Sequence, residues 1–219
     1  MATWERARSA EQKHGRESEI LAAARRLLPQ KPFERIALSD ILQGVSFSRA
    51  SIYQYFASKE EVYLVLLSEE IRDFGELVEK HCRPAPQGED RIAEFSTAWA
   101  GALGKEKILL HLLSMAGTVL EKNCSDEILL RSKKTMALTM AELLLPALRR
   151  YFPRINAQDG NSIILQLVIT ANGLWPLCAL SASQKQVLQA NGLQEMIHEF
   201  EPTYRAMVEA HLRAQLGST

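Results

Sequence analysis

The residues best suited to chemistry lie close together between Leu38 and Lys59. Arg49 carries a fork of donors that fits the O6/N7 edge of guanine, and Gln54 offers the donor–acceptor pair that matches adenine. The hydroxyls of Ser48, Ser51, Tyr53 and Tyr55 can take phosphate oxygens, and Lys59 supplies a point charge for the same purpose. Ala50 completes the run. Phe56 belongs to a core, whereas Tyr53 fits either a core or a phosphate contact. Elsewhere the chain has no Gly-rich phosphate loop, no His-Glu-x-x-His and no nucleophile elbow. Glu195-x-x-His198 has the spacing of half a di-iron carboxylate site, but the second half is absent. No cofactor, metal or catalytic residue is expected.

Such side chains need elements to position them. Leu38–Phe56 reads as two short helices, about 38–44 and 48–54, around a tight turn at 45–47. Ile41, Leu42, Val45, Ile52 and Phe56 supply apolar contacts to lock the pair, and Ser48 can cap the second helix through its hydroxyl. This is the arithmetic of a helix-turn-helix, whose second helix enters the major groove N-terminus first. Lys59 opens the helix that follows, where a cation and free amides together favour phosphate. The bland alternative is a helical hairpin in which Tyr53 and Phe56, at i and i+3, merely fill a core.

The periodicity is helical almost throughout, so the chain is all-α. Residues 1–15 read as a loose polar tail. Helices are expected at 17–28, 59–81, 89–101, 105–121, 125–152, 160–180 and 193–214. Ser125 is a plausible N-cap. Pro146 should disturb its helix unless the turn before it is already irregular. Gly173 and Pro176 should kink or end theirs, and Pro202 should bend the last one.

The chain has 219 residues with 26 Lys+Arg against 26 Asp+Glu, which excludes a uniformly basic nucleic-acid coat. The charge is uneven: residues 1–60 carry ten basic and seven acidic side chains, net +3, so a polyanion would meet that part. A hydrophobic content of 47% rules out a disordered chain. Ile163–Leu180 is the most apolar stretch, but Gln166, Thr170, Asn172, Gly173 and Pro176 interrupt it, so no membrane is expected as a partner. Residues 1–19 lack the apolar core of a signal peptide. Cys82, Cys124 and Cys178 are odd in number and scattered, which fits a reducing cytoplasm.

The run Ser48-x-x-Ser51-Ile52-Tyr53-x-x-Phe56-x-x-Lys59-Glu60-Glu61, with Ile20-Leu21-x-Ala23-Ala24-x-x-Leu27 and Asp40-Ile41, resembles the TetR family of transcriptional regulators. The resemblance covers about residues 16–65. It implies an N-terminal three-helix bundle with a helix-turn-helix, about 1–60, and a larger helical ligand-binding and dimerisation domain, about 61–219. It also implies a dimer on a palindromic double-stranded DNA operator, most simply a repressor, released when a small molecule enters the C-terminal domain. Two departures stand out. Val45-Ser46-Phe47 replaces the usual Ala-Gly-Val of the turn; a left-handed serine there should cost about 1 kcal/mol, offset by a buried Phe47. Lys31-Pro32-Phe33 stands where the family usually has a glycine.

The apolar helix at 160–180 must be covered on both sides. With 193–214, striped by Leu193, Met196, Ile197, Phe200, Tyr204, Met207, Val208 and Leu212, it is expected to form a homodimer interface. Trp99, His111, Met115, Thr118 and Trp175 are the candidates to line a cavity for a mainly hydrophobic effector. Each also fits ordinary core packing.

Overall fold

The computed structural model describes residues 2–83 and 88–217, with side chains described from residue 12 onward except at Arg49 and Ala50. Among the described residues there are eleven α-helices and no strand. They are α1 (Ala2–Leu27), α2 (Leu38–Leu42), α3 (Arg49–Ile52), α4 (Lys59–His81), α5 (Arg91–Leu103), α6 (Lys107–Met115), α7 (Asp126–Thr139), α8 (Leu145–Tyr151), α9 (Ala157–Cys178), α10 (Ala182–Ala190) and α11 (Phe200–Leu216). The chain divides into two compact units, Met1–Glu69 with Met115–Lys133, and Glu70–Ser114 with Lys134–Thr219. The first unit thus takes in a distant segment as well as the N-terminal residues.

In the first unit α1 packs on α2, and α2 on α3. Ile20, Ala24, Ile41, Ile52, Phe56 and Val62 are all but fully buried. Every residue from Glu61 to Ser68 of α4 is buried, so this stretch is enclosed all round rather than along one stripe. Tyr63 stands edge-on to Phe33, with ring centroids 5.3 Å apart, and donates to the Ala24 carbonyl at 3.1 Å. The expected loose tail is helical instead, since α1 begins at Ala2. Residues 2–14 are rich in Ala, Glu and Arg and contain no Pro or Gly, so their composition favours a helix.

In the second unit α11 packs on α5 and α9, while α8 packs on α5 and α9. Phe74, Phe95, Trp99, Tyr151, Phe200 and Tyr204 form its aromatic core. Pro146 causes no break of its own. A π-helical turn, Met140–Leu144, precedes it, and the proline falls in the first turn of α8, where its missing N–H leaves no bond unmade.

The C-terminal third departs from expectation in several places. α10 was not expected, because Ala-Ser-Gln-Lys-Gln-Val-Leu-Gln-Ala offers too few apolar residues for a stripe. Its available signal was the capping box of Ser181 and Gln184, which the structure contains. The last helix starts at Phe200 rather than 193; Leu193 and Met196 lie outside it and are exposed. Pro202 then sits in the first turn, where it needs no bend. α9 continues through Gly173 and closes two residues beyond Pro176. Despite its polar interruptions, α9 is long and apolar enough, at a mean hydropathy of 1.2, to cross a membrane by length and composition. Ile163, Ile164, Leu167, Ala171 and Leu174 on it are buried.

Candidate nucleic-acid interface

α3 is a single helical turn, held from its C-terminal side by Ile52 and Phe56, which are 0% and 1% exposed. Around that anchor the polar residues point outward. Ser48 and Gln54 are exposed, Ser51 and Tyr55 are half-buried, and Tyr53 is 55% exposed. The choice left open for Tyr53 thus falls on the surface. The side chains of Arg49 and Ala50 lie outside the described residues; their backbone forms the first turn of α3. Ser48 occupies the N-cap position with extended backbone, but its hydroxyl lies 3.0 Å from that of Ser51 and caps no amide. The expected hydroxyl cap is therefore replaced by a side-chain pair.

The turn between α2 and α3 is docked on α1. A Cβ on Gly44 would come within 2.9 Å of the Ala23 Cβ, so only glycine permits this approach. Arg26 donates to the Gly44 carbonyl at 3.3 Å. The Ser46 backbone N–H donates to Glu19, and the Ser46 hydroxyl donates to the other carboxylate oxygen at 3.0 Å. No non-glycine residue among those described has a positive φ, so the strain expected of a left-handed Ser46 is absent. Phe47 is half-buried rather than buried. Its ring lies 5.7 Å from the Arg16 guanidinium and 6.4 Å from the ring of Tyr55.

The second departure has its own local logic. Lys31 pairs with Asp40 at 2.5 Å, and Asp40 also accepts the Ala37 backbone N–H at 2.8 Å. That amide, followed by the lysine, holds the Asp40 carboxyl below its ordinary range. Phe33 meets Tyr63 on one side and the Lys59 ammonium, 4.4 Å from its ring centroid, on the other. Lys59 is half-buried and donates to the Phe33 carbonyl at 2.8 Å, so its charge is also a local tie.

Residues 115–133 complete this unit through contacts that sequence spacing did not reveal. Glu61 is 4% exposed and accepts the amides of Ala57 at 2.6 Å and Ser125 at 3.0 Å. Ser58 donates to the Asn123 carbonyl at 3.2 Å, and Arg131 makes a two-pronged ion pair with Glu17. Burial pushes the Glu61 carboxyl up, but the bonds from Ser125, Ala57 and Ser58 outweigh it and leave the group below its ordinary value. The partners lie 64 and 114 residues apart, and nothing local in the sequence marks them.

The five effector candidates fall into both units. Met115 is half-buried and Thr118 exposed, the latter donating to the Met115 carbonyl at 3.4 Å; both belong to the first unit. In the second, Trp99 is fully buried, packed against Phe74 and Phe95 with centroids 5.3 and 5.5 Å away. His111 and Trp175 are half-buried. Trp175 stands edge-on to Phe200 at 5.5 Å, and its indole nitrogen is buried with no hydrogen-bond partner. Phe200 stacks on Tyr204, which accepts from Trp99, so this pair joins Trp175 to Trp99. An open cleft of about 1090 Å³ lies elsewhere in this unit, between Ile92, Tyr151, Arg154, Ile163 and Arg213, and none of the five lines it. Glu195 and His198 are both exposed, and they are not on a common α-helix.

Residues 68–214 match the family model described as tetracyclin repressor-like, C-terminal domain, and residues 20–66 match that of bacterial regulatory proteins, tetR family. Over 52 residues the chain is 48% identical to the HTH-type transcriptional regulator EthR of Mycolicibacterium smegmatis, covering 24% of each chain. Over 90 residues it is 31% identical to the uncharacterized HTH-type transcriptional regulator YfiR of Bacillus subtilis, covering 41% of this chain and 38% of that one. The matches thus span well under half the length of these relatives. The structure of the fatty acid degradation regulator FadR from Bacillus halodurans superposes with a TM-score of 0.55 at 15% identity, over 92% of this chain and 95% of that one, which shows a shared fold. The two family models together take in the helix-turn-helix and nearly all of the second unit, and the chain belongs to the TetR family of bacterial regulatory proteins.

Proposed function

We propose that the chain is a homodimeric transcriptional regulator of the repressor type, bound to a palindromic operator and released by a mainly hydrophobic small molecule. The observation that carries this reading is the one-turn α3, flanked by exposed Ser48, Tyr53 and Gln54 around a buried Ile52–Phe56 anchor. Phosphate contacts from Tyr53, Tyr55 and Lys59 would set register, and Arg49 and Gln54 would read bases.

Two features of the second unit support the rest. Leu165, Ile169 and Leu177 of α9 are 55%, 59% and 61% exposed at helical spacing, and Gly160–Cys178 contains no charged residue. An uncharged, apolar outer face suits a second copy of the chain, and Met207 of α11 is a further exposed apolar residue in this unit. The orphan indole N–H of Trp175 is a polar handle beside an aromatic wall, which suits a lipophilic effector with one acceptor. The effector would act by population shift, favouring a geometry of the dimer whose recognition helices no longer match successive grooves. Selection of duplexes from a randomised pool tests the reading. The protein should enrich one palindromic element and leave it when the effector is added; no enrichment would reject operator binding.

A further inference from the structure

Glu19 engages Ser46 twice, accepting its backbone N–H on one carboxylate oxygen and its hydroxyl on the other. We infer that Glu19 is a positioning residue for the recognition helix: through Ser46 it sets where the N-terminal end of α3 lies, and it sharpens base discrimination without touching DNA. The inference rests on the operator-binding reading above.

A single helical turn has no stability of its own, so the position of α3 is dictated at its two ends. The C-terminal end is fixed by Ile52 and Phe56. The N-terminal end is the one the motif offers to base edges, and it lacks a hydroxyl cap because Ser48 is engaged with Ser51. What holds it is the turn at 44–47, gripped from α1. Arg26 bonds the Gly44 carbonyl, Ala23 lies under Gly44, Glu19 holds Ser46, and Arg16 stands over Phe47. Positions 16, 19, 23 and 26 fall on one stripe of a helix, so the turn runs along α1 as along a rail.

Among these four, only Glu19 makes two charge-assisted hydrogen bonds, which are stronger than neutral ones. They fix both the backbone and the side chain of Ser46, two residues before Ser48. A carboxylate beside a DNA-facing turn repels phosphate whatever the base sequence. A positioning role and a purely electrostatic one therefore predict different responses on matched and unmatched DNA.

The test compares the duplex that the wild-type protein selects from a randomised pool with a shuffled duplex of the same composition, by fluorescence anisotropy at one salt concentration. Glu19→Ala should lose about tenfold in affinity for the selected duplex and hold the shuffled one as tightly or more tightly. Glu19→Gln, which keeps an acceptor without the charge, should recover part of the discrimination. Melting temperatures of both variants accompany the titrations. An unchanged ratio of the two affinities in Glu19→Ala, or a parallel loss on both duplexes with a lower melting temperature, would overturn the inference. If the wild-type protein selects no duplex, the operator-binding reading fails and this inference with it. If it selects one and Glu19→Ala keeps the ratio, only this inference fails.

Discussion

The indole N–H of Trp99 donates to the phenol oxygen of Tyr204 at 3.0 Å, and the Tyr204 hydroxyl donates in turn to the Leu167 carbonyl at 2.9 Å. The two bonds tie α5, α11 and α9 together inside the second unit. Both residues are fully buried, and burial pushes the Tyr204 phenol well above its ordinary range. Tyr204→Phe keeps the ring but leaves the buried Trp99 N–H without its acceptor and removes the second bond on the Leu167 carbonyl, which keeps its helix partner. Its cost should be about 1–3 kcal/mol, read as a lower urea midpoint at unchanged slope. A loss of a few tenths would mean that water replaces the hydroxyl.

Glu61 should make stability depend on acid. Its carboxyl is depressed below the ordinary value of 4.5 in the folded chain. A depressed carboxylate contributes stability that is fully present above the unfolded value and is lost as pH falls through the folded one. Urea unfolding of the wild-type protein should weaken progressively below about pH 4.5. Glu61→Gln should flatten part of that slope while costing about 1–3 kcal/mol at neutral pH. An identical acid slope in the variant would assign the loss to other carboxylates.

The proposed dimer face gives a clean contrast between neighbours on α9. Ile169 is 59% exposed within one chain, whereas Leu167 is fully buried. Ile169→Glu should leave the chain folded and convert the sedimenting species from dimer to monomer, since a buried unpaired charge costs several kcal/mol. Leu167→Glu should unfold it. A dimer that persists in Ile169→Glu would move the interface to another face.

The parts of the molecule legible in the sequence are those set by local rules. The helix-turn-helix follows from apolar spacing at Ile41, Ile52 and Phe56, and α4 was expected between the same residues where it is found. Other features depend on long-range bonds. Ser46 in place of glycine reads as strain, yet its φ is not positive, and its partner Glu19 lies 27 positions earlier. Arg131 looks like a solvated charge until Glu17 meets it. Trp99 resembles a cavity residue by type, and only its partners Phe74, Phe95 and Tyr204 place it in the core. α10 was hidden because its cap carries the signal and its apolar content does not.

Trp175 offers a direct handle on the effector. Lipophilic compounds titrated into the protein should perturb tryptophan emission, because the Trp175 indole nitrogen is buried and unpaired while that of Trp99 is satisfied. The response should vanish in Trp175→Phe and persist in Trp99→Phe. The reverse pattern would place the ligand in the core around Trp99.

If the residues around α3 read DNA, Gln54, exposed two residues beyond the end of that helix, should carry part of the base preference. The measurement is the base-by-base preference of wild-type protein and of Gln54→Ala, each taken through selection from the same randomised duplex pool. The wild type should enrich a palindrome. The variant should lose discrimination at one symmetric pair of positions only, worth about 1–3 kcal/mol per contact. An identical preference in the two proteins would contradict that reading.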